Sequence, residues 1–220
     1  MITIDGPSGV GKGTIAKILA ESLGFNYLDS GAMYRALALF ADLHGITANG
    51  SDEKLKKLLI DLHIRFVDED ETQKVFVNTD DVTDDIRTSE ISTLASQFAV
   101  NQIVRGVLKE MQRRIVKNKS YIAEGRDMGT YVFPDAKYKF YLDASPEIRA
   151  NRRALQLKEI LGVNINEQKV LKEINERDTL DMTRNICPLH PADDAVIINT
   201  STLSIKEVVE KIQSIVKDDA

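Results

Sequence analysis

Apolar positions follow two different periods along this chain. ITID at 2–5 is a short apolar run closed by an acid, the pattern of a buried strand. After a glycine-rich stretch, KGTIAKILAESLG repeats apolar residues at helical spacing (Ile15, Ile18, Leu19, Leu23) and stops at Gly24. FNYL, from 25, is strand-like, and Ser30 is placed to cap a helix running through AMYRALALFADLHG to Gly45. Further strands are predicted at SYIAE (120–124), YKFYLDA (138–144) and AVIIN (195–199), with helical segments between them. Such alternation predicts an α/β fold with a central five-stranded parallel sheet flanked by helices.

HIRFVDEDETQKVFVNTDDVTDDIR breaks this rhythm. It alternates apolar and polar residues on both sides of an acidic turn (Ile64 and Phe66, then Val75 and Val77), which predicts a small antiparallel insertion over 63–88. The helix expected over 145–161 has Ser145 as cap, Pro146 in its first turn and Glu147 at the positive end of the dipole. It carries Arg149, Arg152 and Arg153 on one face, an arrangement that is either a solvated surface or an anion-closing lid.

Composition narrows the class. The 220 residues suit one domain, and 29 Lys and Arg against 34 Asp and Glu give a net charge of -5, so no broad basic surface for nucleic acid is expected. The single cysteine, Cys187, excludes a disulfide framework and a cysteine zinc cluster, and is read as a buried small hydrophobe in a reducing compartment. No apolar run approaches the roughly 20 residues of a membrane span, and the first residues do not read as a signal peptide. A cytoplasmic, monomeric protein without membrane or nucleic-acid partners is expected. His44, His63 and His190 are scattered, without metal-ligand spacing.

GPSGVGKGT, comprising Gly6, Pro7, Ser8, Gly9, Val10, Gly11, Lys12, Gly13 and Thr14, has the spacing of a phosphate-binding loop except for its last letter. Amides of a curled glycine loop, the positive end of the following helix and the mobile charge of Lys12 together suit ATP phosphates. Where the pattern asks for Ser or Thr after the lysine, this chain has Gly13, and the hydroxyl moves to Thr14. Mg²⁺ is therefore expected to be held mainly by phosphates and water, with Glu124 as a candidate to hold one of those waters. A GTPase would carry Asn-Lys-x-Asp, and the nearest approach, Asn118-Lys119-Ser120-Tyr121, lacks the acid.

The GKGT ending resembles that of nucleoside monophosphate kinases. Taken with LDSGAMYR at 28–35 and EGRDMGTYVFPDA at 124–136, the loop resembles bacterial cytidylate kinases, a likeness running from residue 2 to TLSIKEVVEKI near the C-terminus. The resemblance implies a P-loop nucleoside monophosphate kinase fold over 1–220, with 63–88 in the monophosphate-binding region and a helical lid over 149–165. It implies transfer of the γ-phosphoryl of ATP to CMP or dCMP with Mg²⁺ as cofactor. Arg35, Arg126 and Arg184 would surround the acceptor phosphate beside Ser30, Asp127, Arg105 and Ser96 would meet the cytosine, and Asp181 the ribose. Arg149 and Arg153 would join Lys12, Arg126 and Arg184 in catalysis. From the residues alone, Asp181 is equally a member of an ion-pair ladder with Arg177 and Arg184. Two other classes use such a loop: a small-molecule kinase with another acceptor, and an ATP-binding switch without enzymatic activity.

Overall fold

In chain order the elements are β1 (Ile2–Asp5), α1 (Lys12–Leu23), β2 (Asn26–Asp29), α2 (Ser30–Leu43), α3 (Asp52–Ile60), β3 (Ile64–Glu69), β4 (Thr72–Val77), β5 (Asp80–Asp81), α4 (Ser89–Phe98), α5 (Gln102–Ile115), β6 (Tyr121–Gly125), β7 (Tyr138–Asp143), α6 (Pro146–Leu161), α7 (Glu167–Thr183), β8 (Val196–Asn199) and α8 (Ile205–Asp218). The computed structural model describes residues 1–69, 72–162 and 165–218. Parts of the expected insertion (70–71) and of the expected lid (163–164) lie outside the described residues. The chain divides into two compact units, Met1–Asp29 with Val116–Ala220, and Ser30–Ile115.

The first unit is built on a five-stranded sheet of order β2-β6-β1-β7-β8 in which every pairing is parallel. β1 is central, with Ile2 and Ile4 wholly buried, and its apolar run reflects burial on both faces. Strand residues Ile2, Ile4, Ile122, Phe140, Leu142 and Ile198 pack with Ile15 and Leu19 of α1 and with Val208 and Ile212 of α8 in one core. Because the strands run parallel, their carboxyl ends lie along one edge, the edge at which open α/β sheets bind ligands. Asp5, Asp29 and Gly125 end their strands there. α6 and α7 share a smaller core of Ala150, Ala154, Val170 and Ile174.

The expected five parallel strands are all present, with small shifts at the ends. β2 begins at Asn26 because Phe25 still belongs to the turn that ends α1: Gly24 is left-handed (φ 64°) and the Phe25 amide donates to Ala20 O at 2.8 Å. β8 begins at Val196, since the Ala195 amide closes a turn onto Ala192 O. Ser145 caps α6 as the pattern predicts, accepting from the Ile148 amide.

The second unit holds α2 to α5 and an antiparallel sheet of order β3-β4-β5. The alternation read over the insertion is the β3–β4 hairpin, in which Ile64 faces Val77 and Phe66 faces Val75. Ile64, Val75 and Val77 are buried. A short 3₁₀ turn at Asp85–Arg87 follows β5.

Candidate active site

β1 delivers the chain into the loop 6–14. The first glycine is required by close approach, because a Cβ at Gly6 (φ 151°) would collide with the carbonyl oxygen of Leu142. The loop ends at Gly11, and α1 starts at Lys12 with the Ile15 amide donating to Gly11 O at 3.1 Å. Lys12 is 5% exposed and its ammonium donates to Pro7 O at 2.8 Å, so the cation is folded against its own loop. Burial and the nearby Arg126 guanidinium lower its pKa to about 7, against the opposing pull of Glu124.

The unusual Gly13 has a steric explanation. A Cβ there would stand 3.1 Å from Glu124 Oε1 and 3.5 Å from the Tyr27 hydroxyl. The Tyr27 hydroxyl in turn donates to Glu124 Oε1 at 3.1 Å. A carboxylate thus occupies the space beside the loop into which a Ser or Thr side chain would project. Burial, with Asp29 next to it, pushes the Glu124 carboxyl above its usual range, while Lys12 and Arg126 oppose the shift. Carboxylate oxygens held beside a phosphate loop, and destabilised as anions until a cation arrives, fit Mg²⁺ chemistry. No cluster of three or more potential metal ligands occurs among the described residues.

β6 runs from Glu124 into the turn that carries Arg126 and Asp127. Both carboxylate oxygens of Asp5 hold this turn, accepting the amides of Met128 at 2.9 Å and Gly129 at 2.8 Å. Asp127, 3% exposed, closes the turn through its carbonyl, which accepts from Tyr131 and Val132. Arg126 Nε donates to Asp181 Oδ2 at 2.8 Å, and Arg184 Nη1 lies 3.6 Å from Asp181 Oδ1. Burial acts to raise the Asp181 pKa, but Arg126, Arg177 and Arg184 outweigh it and hold the carboxyl below its ordinary value. The Arg126 guanidinium is strengthened as a cation by Asp181 and Glu124 against the effect of burial. The ladder of Arg177, Asp181 and Arg184 read from spacing is therefore joined by Arg126, 55 positions earlier in the chain.

Arg184 also donates through Nε to the carbonyl of Cys187 at 2.7 Å. Cys187 has φ 49° and is half-buried, so its position is set by a backbone turn under Arg184, and the expectation of a buried small hydrophobe is corrected.

The three arginines of α6 make separate contacts. Arg149, 3% exposed, donates to Ala144 O, Ser8 O and Asp178. Arg152 donates to the side chain and carbonyl of Thr200, at the end of β8. Arg153 donates to Gln156 one turn along its own helix. Spacings of three and four place them side by side on the helix, yet the first lies against the glycine loop and the second beside the sheet, so each meets a different acceptor.

Four of the expected residues lie in the second unit. Ser30, 3% exposed, is the first residue of α2, and Arg35 is half-buried one turn on. Ser96 of α4 donates to Ser92 O. Arg105 of α5 is 1% exposed, donates to Ala99 O at 3.0 Å and holds its guanidinium 5.9 Å from the centre of the Tyr34 ring. Asp5, Tyr27 and Asp178 were not legible as site residues: each acts through a partner remote in sequence, Asp178 on Ser8 at a separation of 170.

A parallel sheet whose central strand feeds a glycine loop, a buried lysine and a helix N-terminus, with acids and arginines from adjacent strand ends, defines a P-loop phosphotransferase architecture. A family model described as cytidylate kinase matches residues 2–218, and the chain belongs to that family. It is 48% identical over 211 residues to a cytidylate kinase of Serratia proteamaculans, covering 96% of this chain and 91% of that protein. A cytidylate kinase of Fervidobacterium nodosum is 46% identical over 217 residues, covering 99% and 96%. Among solved structures, an uncharacterized protein from Eubacterium ventriosum superposes with a TM-score of 0.51 at 14% identity, covering 99% of this chain and 97% of that one, a likeness of fold alone.

Proposed function

We propose that this chain is an ATP-dependent kinase that moves the γ-phosphoryl group of ATP to CMP or dCMP, giving ADP and CDP or dCDP. The observation that carries this reading is membership of the cytidylate kinase family over residues 2–218. An oxygen of the acceptor phosphate forms the new bond to the γ-phosphorus as the bond from that phosphorus to the β-bridging oxygen breaks, and ADP leaves with the bond's electrons. The nucleophile is already an anion near neutral pH, so no general base is needed and the protein supplies position and charge.

In this reading the amides of loop 6–14 cradle the ATP phosphates, and Lys12 leaves Pro7 O to follow the charge that develops on the transferred group. Arg126 and Arg184 direct their guanidinium groups to the acceptor phosphate, and Asp181 serves both as their counter-ion and as a partner for the ribose hydroxyls. Asp127, on the turn held by Asp5, faces the exocyclic amine of cytosine. The same reading gives Ser30 and Arg35 to the acceptor phosphate and Ser96 and Arg105 to its base. Arg149, which also holds the loop through Ser8 O, and Arg153 are the α6 arginines assigned to the ATP phosphates. Glu124 would hold Mg²⁺ through water, with the Thr14 hydroxyl on the phosphates. When bound, the ion would neutralise phosphate charge. No helix among the described residues is long and apolar enough to cross a membrane. A cytoplasmic monomer is the setting we propose.

The test is a panel of CMP, dCMP, UMP, AMP and GMP, each with ATP and Mg²⁺, read as formation of the matching diphosphate. Rapid CDP and dCDP formation is expected. A preference for another acceptor, or no diphosphate at all, would overturn the proposal.

A further inference from the structure

The glycine loop is gripped from outside at Ser8 by Arg149 and Asp178, and Asp178 has no assigned part in phosphate or nucleotide binding. Ser8 donates its amide to Asp178 Oδ1 at 3.4 Å, and its carbonyl accepts from Arg149 Nη1 at 2.9 Å. The two partners are joined to each other, Arg149 Nη1 to Asp178 Oδ2 at 2.5 Å. Both are buried, Arg149 at 3% and Asp178 at 6% exposure. Arg149 is fixed a third time by Nε on Ala144 O at 2.9 Å. The loop lies directly on this part of α6: a Cβ at Gly9 would stand 3.1 Å from Arg149 O and 3.3 Å from Arg149 Cβ.

We propose that Asp178 is a positioning residue for ATP, acting with Arg149 to hold Ser8 so that the glycine loop keeps its phosphate-binding curvature and the base of the α6–α7 pair is fastened to it. The proposal rests on loop 6–14 being the ATP site. Pro7 and Ser8 are adjacent, and Pro7 O is the acceptor on which Lys12 rests, so a shift at Ser8 moves the lysine's resting place as well. A buried ion pair is a poor source of net stability, because desolvation offsets most of the attraction. Here both members also spend hydrogen bonds on one loop residue, a use that packing alone does not require.

The test compares Asp178→Asn, Asp178→Ala and the double variant Arg149→Met with Asp178→Leu. Buried ion pairs replaced by apolar residues of similar volume often fold as well as the original or better. KM for ATP, KM for CMP, kcat and the unfolding midpoint are measured for each, with ATP binding followed separately by calorimetry without CMP. The proposal expects KM and Kd for ATP to rise about tenfold or more in Asp178→Ala, less in Asp178→Asn, which keeps an acceptor for the Ser8 amide. KM for CMP should stay within about twofold. In the double variant the unfolding midpoint should recover while the ATP defect persists. An ATP affinity that recovers together with stability, or is unchanged throughout, overturns the proposal and leaves the pair as packing. Equal losses for both substrates overturn it too. If the wild type fails to bind ATP at all, it is the functional reading that fails.

Discussion

The carboxylate of Asp5, at the end of the central strand, accepts the amide of Gly129 at 2.8 Å. Its other oxygen takes the amide of Met128, so the turn that bears Arg126 and Asp127 hangs from a residue immediately before the glycine loop. One buried side chain thus fastens the segment proposed to read the acceptor base to the segment proposed to hold ATP.

This arrangement has a pH signature. Burial, with a contribution from Asp127, raises the Asp5 pKa to about 7 from an ordinary 3.8, although the two amides and Lys12 oppose the shift. A raised carboxyl pKa means that the folded chain binds a proton the unfolded chain has lost. The resulting stabilisation is fully present below about pH 4 and disappears as pH rises through about 7, with a span on the order of 4 kcal/mol. Urea unfolding of the wild type and of Asp5→Asn over this range should give a stability difference that moves in favour of the wild type as pH falls. A difference independent of pH would remove the shift. Asp181, whose pKa is lowered, works in the opposite direction: its contribution is lost as pH falls through its folded pKa.

Lys12 should take up protons when ATP binds. With its pKa lowered to about 7 by burial and Arg126, the free protein carries it only partly charged near neutral pH, and an arriving polyphosphate favours the charged form. Calorimetry in buffers of different ionisation enthalpy should record net uptake, together with ATP affinity that weakens as pH rises above about 7. Lys12→Ala should lose the uptake and reduce turnover by about a thousandfold or more while remaining folded. Equal proton uptake in wild type and variant would place the titration elsewhere.

Base selectivity should follow Asp127. Cytosine presents an amine where uracil presents a carbonyl oxygen, so a carboxylate facing that edge favours the first and repels the second. One such polar contact discriminates by about 1–3 kcal/mol. Asp127→Asn keeps the size and adds a donor, so the ratio of kcat/KM for CMP over UMP should fall by about five- to a hundredfold. An unchanged ratio with full CMP activity would assign the reading of the base to another group.

The sheet was legible in the sequence because its strands are short apolar runs separated by helical periods, and burial on both faces writes that pattern directly. Its strand ends were less so: Phe25 reads as strand by composition, but its amide is used by the turn after Gly24. In the site, the loop 6–14 is visible from spacing, but the reason for Gly13 is not, because Glu124 Oε1, which occupies the space beside it, comes from a strand more than a hundred positions away. The α6 arginines show the limit of periodicity. Spacing put Arg149, Arg152 and Arg153 on one face, but their acceptors, Ser8, Thr200 and Gln156, are set by tertiary neighbours that no local pattern encodes. Asp178 was hidden for the same reason, as one acid among many on a charged helix until the fold brings it to Ser8.

The most direct measurement follows the phosphoryl group itself. ATP carrying label on its γ-phosphate is mixed with the protein, Mg²⁺ and CMP, and the label is located as turnover proceeds. Label should move into CDP in step with ADP formation, and in the absence of CMP its release as inorganic phosphate should be slower by several powers of ten, because the site is organised for an anionic acceptor and not for water. Label appearing mainly as inorganic phosphate, at a rate indifferent to CMP, would contradict direct transfer.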